Sequence, residues 1–258
     1  MMKVAILDTG IDGYHHRLKT YINFSLSKSF VDDSIIDNSG HGTGVSGVII
    51  YNELFIPKFK KLELIICKIT NNVKFEIANF IEALEYAIIL KVRIINLSLS
   101  IKKSNVTKKQ KDQIEQLIRI AFDKNIIIVA STGNDNQEDN IFKNSSNYIY
   151  LVTARDIEGN IASYSKEVKD AYSIFGGDIE SIVDYTSIEQ HLVVSTFPRY
   201  LKNDYFNLFG VPKGYSYFWG TSIATAKFTN VIIKTLIDYN ERPMEIKKEL
   251  NKYKDDWN

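Results

Sequence analysis

A chain of 258 residues can build one large α/β domain or two small ones. With 45% hydrophobic residues, 24% charged residues and a formal net charge of +1, it reads as a soluble globular protein with no bias toward nucleic acid or another polyanion. No apolar run approaches the roughly 18 residues that span a membrane, and a single cysteine excludes an internal disulfide.

In chain order, the first apolar run predicts a strand over Lys3–Asp8, and His41 opens a helix in "NSGHGTGVSGVI". A second strand over Leu62–Ile69 buries Cys67 among Ile65, Ile66 and Ile69, where a thiol acts as a small hydrophobe. Phe75, Ala78, Ile81, Leu84 and Ile88 recur at helical spacing, and a strand follows over Val92–Ser98. Ile114, Leu117, Ile118 and Ala121 mark another helix, ahead of which the lysines of 108–111 form a solvated face. Strands are predicted at Asn125–Ser131, Tyr148–Ala154 and His191–Ser195. The aromatic, turn-rich region 166–220 suits short antiparallel strands, and its stretch "YFNLFGVPKGYSYFW" reads as core. Helices close the chain over Ser222–Leu236 and, opened by Pro243, over Met244–Tyr253.

Strands alternating with helices imply an α/β fold of three layers, a doubly wound, mostly parallel sheet with helices on both faces. With no repeat and no Pro-rich linker, residues 1–258 read as one domain. In such sheets function collects at the carboxyl ends of the strands. Asp8 ends the first strand, Ser98–Leu99–Ser100 end the third, and Ser131–Thr132–Gly133–Asn134 end the fourth. His41 and Ser222 each sit at a helix start. Singly, each has an ordinary reading: Asp8 as a turn residue, His41 as a surface histidine between glycines, Asn134 as loop, Ser222 as a helix cap.

Taken together, "VAILDTGID", "GHGTGVSGVI", "ASTGND" and "GTSIATA" resemble the subtilisin-like serine peptidases, the subtilases, over roughly residues 3–238. The order Asp, His, Ser is the one that family uses for its triad. The resemblance implies Ser222 as nucleophile, His41 as general base, Asp8 as its orienting partner and Asn134 as an oxyanion donor. It also implies that a peptide or protein substrate lies extended along Ser98, Leu99 and Ser100, and that Ser131, Thr132 and Gly133 line the primary specificity pocket. His15 takes a structural position by the same resemblance. The acidic run "NDNQEDN" could attract a basic substrate side chain.

The chain departs from the family at Gly44, where a larger residue is usual, at Ser100 in place of a glycine, and at Ala226–Lys227 in place of Pro-His. Its Asp strand begins at residue 3, so no prodomain is expected. The N-terminal arm of the family's calcium site is missing and "VIIYNELFIPKFKK" has few oxygen ligands, so no obligatory calcium is expected, and no other metal, cofactor, membrane or nucleic-acid partner is expected either. A cytoplasmic endopeptidase is implied, restrained by narrow specificity such as processing of a leader peptide; its oligomeric state stays open. The alternative is a catalytically silent, subtilase-fold peptide-binding protein. A nucleotide-binding protein is excluded by the absence of a phosphate loop.

Overall fold

A computed structural model describes residues 1–51, 62–71, 75–134, 140–145, 147–182, 187–203, 209–238 and 248–254. Strand β1 (Met2–Asp8) is followed by β2 (Lys28–Ser29), helix α1 (His41–Ile50), β3 (Leu62–Lys68), α2 (Ile77–Ile89) and β4 (Ile94–Leu97). Helix α3 (Lys108–Asp123), β5 (Ile127–Ser131), β6 (Tyr150–Arg155) and β7 (Tyr172–Phe175) come next. A short α4 (Ile188–His191), β8 (Val193–Thr196), β9 (Tyr215–Phe218) and the long α5 (Thr221–Asp238) complete the elements used below.

The main sheet has seven strands in the order β2-β3-β1-β4-β5-β6-β7, all parallel. Parallel strands covered on both faces need near-continuous apolar runs, and "VAIL" within β1 is such a run. Val4 and Ile6 pack on one side with Val45 and Ile49 of α1 and with Ile223, Phe228 and Ile232 of α5. Ala5 and Leu7 pack on the other with Phe80 and Leu84 of α2 and Ile114 and Ile118 of α3. The three-layer α/β architecture read from the sequence is the one observed. Cys67 is buried in that second layer, and burial pushes its thiol up to about 12, well outside the reactive range.

The order reverses at β1, which has β3 on one side and β4 on the other. At this switch point the carboxyl ends of β1 and β4 lie side by side, which brings Asp8 and Ser98 to one crevice.

Three differences from the sequence reading have physical causes. Val92 and Asn125, expected to open strands, instead close helices. Asn125 has φ +57°, its N–H donates to Phe122 and that of Ile126 to Ala121; Lys91 and Val92 repeat the pattern at the end of α2. Both are Schellman motifs, which consume the residues that looked like strand starts. The run His191–Ser195 does not join the main sheet: His191 ends α4, and β8 pairs antiparallel with β9. The edge place is taken by β7, hidden in sequence by its Tyr-Ser-Ile-Phe composition.

Helix α3 begins one residue after Thr107, whose hydroxyl and Gln110 form a reciprocal capping box, and its lysines 108 and 109 are exposed as expected. Of the aromatic stretch before Gly220, Val211 and Tyr217 are buried together whereas Trp219 is partly exposed; residues 204–208 lie outside the described residues. Residues 244–247 of the expected last helix lie outside them too. Residues 248–250 are helical, and Tyr253 packs on Phe228 with ring centroids 5.8 Å apart.

Candidate active site

Asp8, the last residue of β1, is almost fully buried. Its Oδ1 accepts the Thr9 N–H at 2.7 Å and lies 2.7 Å from Nδ1 of His41. Burial pulls the His41 imidazole down, but the Asp8 carboxylate, by charge and by hydrogen bond, and Asp37 behind it raise it above its ordinary value of 6.5.

Helix α1 reaches Asp8 this closely because residue 42 is a glycine. A Cβ there would stand 2.3 Å from the Gly10 carbonyl and 3.1 Å from Asp8 Oδ1. The start of α1 is held by Asp37, fully buried four residues before His41. Asp37 Oδ1 accepts from Thr9 Oγ1 (2.8 Å), Ser39 N–H (3.0 Å) and Gly40 N–H (2.8 Å); Oδ2 accepts from the N–H (2.8 Å) and hydroxyl (2.7 Å) of Thr43. A carboxylate at a helix N-terminus satisfies orphan N–H groups and opposes the positive end of the helix dipole. The loop leading to it is pinned by Lys68, fully buried and in register with Asp8, which donates to Asp32 at 2.8 Å.

Ser222 is the second residue of α5, after a turn at Gly220 with φ +128°. Its hydroxyl donates to the Ser98 carbonyl at 2.8 Å rather than to His41. The Ser98 hydroxyl returns a bond to the Ser222 carbonyl at 2.8 Å. Behind this pair, Asn96 Nδ2 donates to Ser98 Oγ at 3.0 Å, and Thr229 Oγ1 donates to Asn96 Oδ1 at 2.8 Å.

Asn134 uses Oδ1 to accept the N–H (2.9 Å) and hydroxyl (2.7 Å) of Thr221, which leaves its amide NH2 as the outward donor group. Tyr164 receives the Gly220 N–H at 3.0 Å and donates to the Gly177 carbonyl, so it ties the turn before Ser222 to the segment after β7.

Ser98, Ser131, Thr132 and Gly133 are buried, Leu99 is half-buried and Ser100 is exposed. The main-chain groups of Leu99 and Ser100 have no hydrogen-bond partner among the described residues, so this segment offers a free edge. Thr132 turns to β6, its N–H and hydroxyl both reaching the Val152 carbonyl, at 3.0 and 3.2 Å. The acidic run lies, over residues 135–139, outside the described residues. His15 is fully buried against the Gly214 carbonyl at 2.9 Å.

Two departures from the family pattern find a physical reason. A Cβ at Gly44 would stand 2.4 Å from the Phe218 ring, so that ring occupies the room of a larger residue 44. Lys227 lies with its ammonium 4.4 Å from the centre of the Phe175 ring, a cation–π contact. No group of three or more His, Cys, Asp or Glu residues suited to a metal ion occurs among the described residues, and no described helix is long and apolar enough to cross a membrane.

Asp37, Asn96, Thr229 and Tyr164 escaped the sequence reading. Only Asp37 carries a local signal, an acidic residue just ahead of a helix start.

A model of the subtilase family matches residues 1–250. The major intracellular serine protease of Bacillus subtilis is 31% identical over 147 residues, 54% of this chain and 44% of that protein. The chain thus spans less than half the length of that curated relative. Among solved structures, the epidermin leader peptide processing serine protease (EpiP) of Staphylococcus aureus superposes with a TM-score of 0.75 at 21% identity, covering 97% of this chain and 68% of that one. The nisin leader peptidase NisP of Lactococcus lactis gives 0.73 at 18% identity, covering 96% and 81%. At such identities these two show a common fold.

Proposed function

The chain belongs to the subtilase family, and on that premise we propose that it is a serine endopeptidase acting through Asp8, His41 and Ser222. The observation that carries this reading is the 2.7 Å pairing of Asp8 Oδ1 with His41 Nδ1 at the sheet's switch point. It presents the other ring nitrogen, Nε2, as the base.

A serine hydroxyl turns about its Cα–Cβ bond within nanoseconds, so release from the Ser98 carbonyl frees it for His41. His41 Nε2 takes the Ser222 proton as Oγ attacks the scissile carbonyl carbon, and Asp8 stabilises the imidazolium. The carbonyl's electron pair moves to its oxygen, which is met by the Asn134 amide and the Ser222 N–H, one of the unpaired N–H groups of a helix start. Collapse expels the amine, protonated by His41, and leaves Ser222 acylated. Water, deprotonated by His41, then attacks the acyl carbon and releases the carboxylic acid and a free Ser222.

The free edge at Leu99 and Ser100 supports binding of an extended segment by main-chain hydrogen bonds, with Ser131, Thr132 and Gly133 along the side-chain pocket. We read the substrate as a dedicated peptide, such as a leader segment, cut in the cytoplasm by residues 1–258 acting as one peptidase domain. Likeness to the leader peptidases and to an intracellular relative supports that assignment.

Digestion of an unstructured protein by wild type and by Ser222→Ala tests the proposal. Wild type is expected to yield fragments, and the variant to lose about 10⁶-fold in turnover, the size of the corresponding loss in subtilisin. Equal cleavage by both would overturn it.

A further inference from the structure

We infer that Ser100 makes the pocket beside Ser222 shallow, so that cleavage falls after small side chains; this rests on the peptidase reading above. Segments 98–100 and 131–134 leave the neighbouring parallel strands β4 and β5 side by side, and the gap between them is the side-chain pocket proposed above. One wall carries the Ser98 carbonyl, 2.8 Å from Ser222 Oγ, and the other ends in Asn134, which holds Thr221. A carbonyl seated between Ser222 Oγ and the Asn134 amide therefore sets its own residue's side chain over this gap.

Ser100 crosses it. A Cβ on Gly133 would stand 2.9 Å from Ser100 Oγ and 3.1 Å from Ser100 Cβ, so the serine side chain rests on the Gly133 main chain. Gly133 is buried while Ser100 is exposed, so the serine side chain lies on the solvent side of Gly133.

Neither wall is free to retreat. Thr132 is bonded twice to the Val152 carbonyl, and Asn140 Nδ2 donates to the Ser131 carbonyl at 2.8 Å. On the other side the Ile101 carbonyl accepts the Ile141 N–H at 2.9 Å, and Lys102 bridges to Asn140.

The Ser100 hydroxyl has no hydrogen-bond partner among the described residues, so its needs are met by water. A large apolar side chain entering the gap would either displace the serine or strip that water from it, and both cost binding in the transition state. An alanine or serine side chain stops short of it.

The test uses two peptide libraries with randomised flanks, one fixed at alanine and one at phenylalanine on the acyl side of the cleaved bond. Each is digested by wild type and by Ser100→Gly. The expected wild-type preference for alanine is at least about tenfold in kcat/KM, the size a steric pocket supports. Ser100→Gly is expected to raise the phenylalanine-to-alanine ratio by at least about tenfold. The wild-type ratio needs no variant to fold, and Ser100→Val should move the ratio the opposite way. Wild type that cuts both libraries equally well, or a ratio unmoved in Ser100→Gly, overturns this inference alone. Folded wild type that cuts neither library and reacts with no fluorophosphonate overturns the peptidase reading with it.

Discussion

Ser98 and Ser222 are hydrogen-bonded to one another twice, each hydroxyl donating to the other's main-chain carbonyl at 2.8 Å. The end of β4 and the start of α5 are thereby fixed as a unit, and the buried amide of Asn96 and the hydroxyl of Thr229 extend that unit into the core. The proposed nucleophile is thus held at rest on the segment that is proposed to receive substrate.

Ser98→Ala removes the donor to the Ser222 carbonyl and the acceptor of Asn96 Nδ2. Leaving buried polar groups unpaired costs about 1–3 kcal/mol. Thermal unfolding should show a fall of several degrees, with about 2–4 °C per kcal/mol for a domain of this size. Turnover should fall with it, because the start of α5 loses its tie. An unchanged melting temperature would remove the network from any role in positioning Ser222.

Asp37→Asn tests how the proposed base is held. The substitution keeps one acceptor but loses the charge at the start of α1, and with it part of what raises His41. As the proposed base His41 must be neutral to act, so kcat/KM is expected to fall as pH drops through its raised pKa. With Asp37 neutralised, that acid limb should move to lower pH while the rate on the plateau also declines. A limb that stays in place would show that Asp37 does not act on His41 electrostatically.

Asp8→Asn should cost about 10⁴-fold in kcat, as loss of the orienting carboxylate does in other serine peptidases of this mechanism. KM should change little, since Asp8 touches no substrate atom in the proposed mechanism. A raised KM with kcat preserved would instead assign Asp8 a binding role.

Acid stability reports on a second pair. Asp12 is buried, with Arg199 Nε 3.0 Å from its Oδ2. Burial raises the Asp12 carboxyl, but hydrogen bonds and charge from Arg199 outweigh this and hold it below its ordinary 3.8. A depressed folded pKa gives stability that is present above the unfolded pKa and lost as pH falls through the folded one. Arg199→Gln should therefore destabilise near neutral pH, by about 1–3 kcal/mol given the exposure of the arginine. Its gap from wild type should close below pH 3.8. A gap constant across that range would contradict this pairing.

The layers of the fold were legible because a sheet buried on both faces demands apolar runs, and such runs are local. Asp8, His41, Asn134 and Ser222 stand out as candidates in the sequence because each sits at a strand end or helix start within a glycine-marked motif. What escaped was settled by contacts distant in sequence. Nothing near Thr229 announces that its hydroxyl meets Asn96, and nothing near Tyr164 places its phenol at Gly220. The starts of β4 and β5 were misplaced because Val92 favours extended structure in isolation and Asn125, a residue suited to the left-handed end of a helix, directly precedes the apolar run of β5.

The most direct test of the proposed chemistry is mapping of the fluorophosphonate adduct by mass spectrometry on the folded protein. The expected result is a single modified residue, Ser222, with modification abolished in Ser222→Ala and strongly slowed in His41→Ala. Folded wild type that stays unmodified, or an adduct on another serine, would contradict Ser222 as an activated nucleophile.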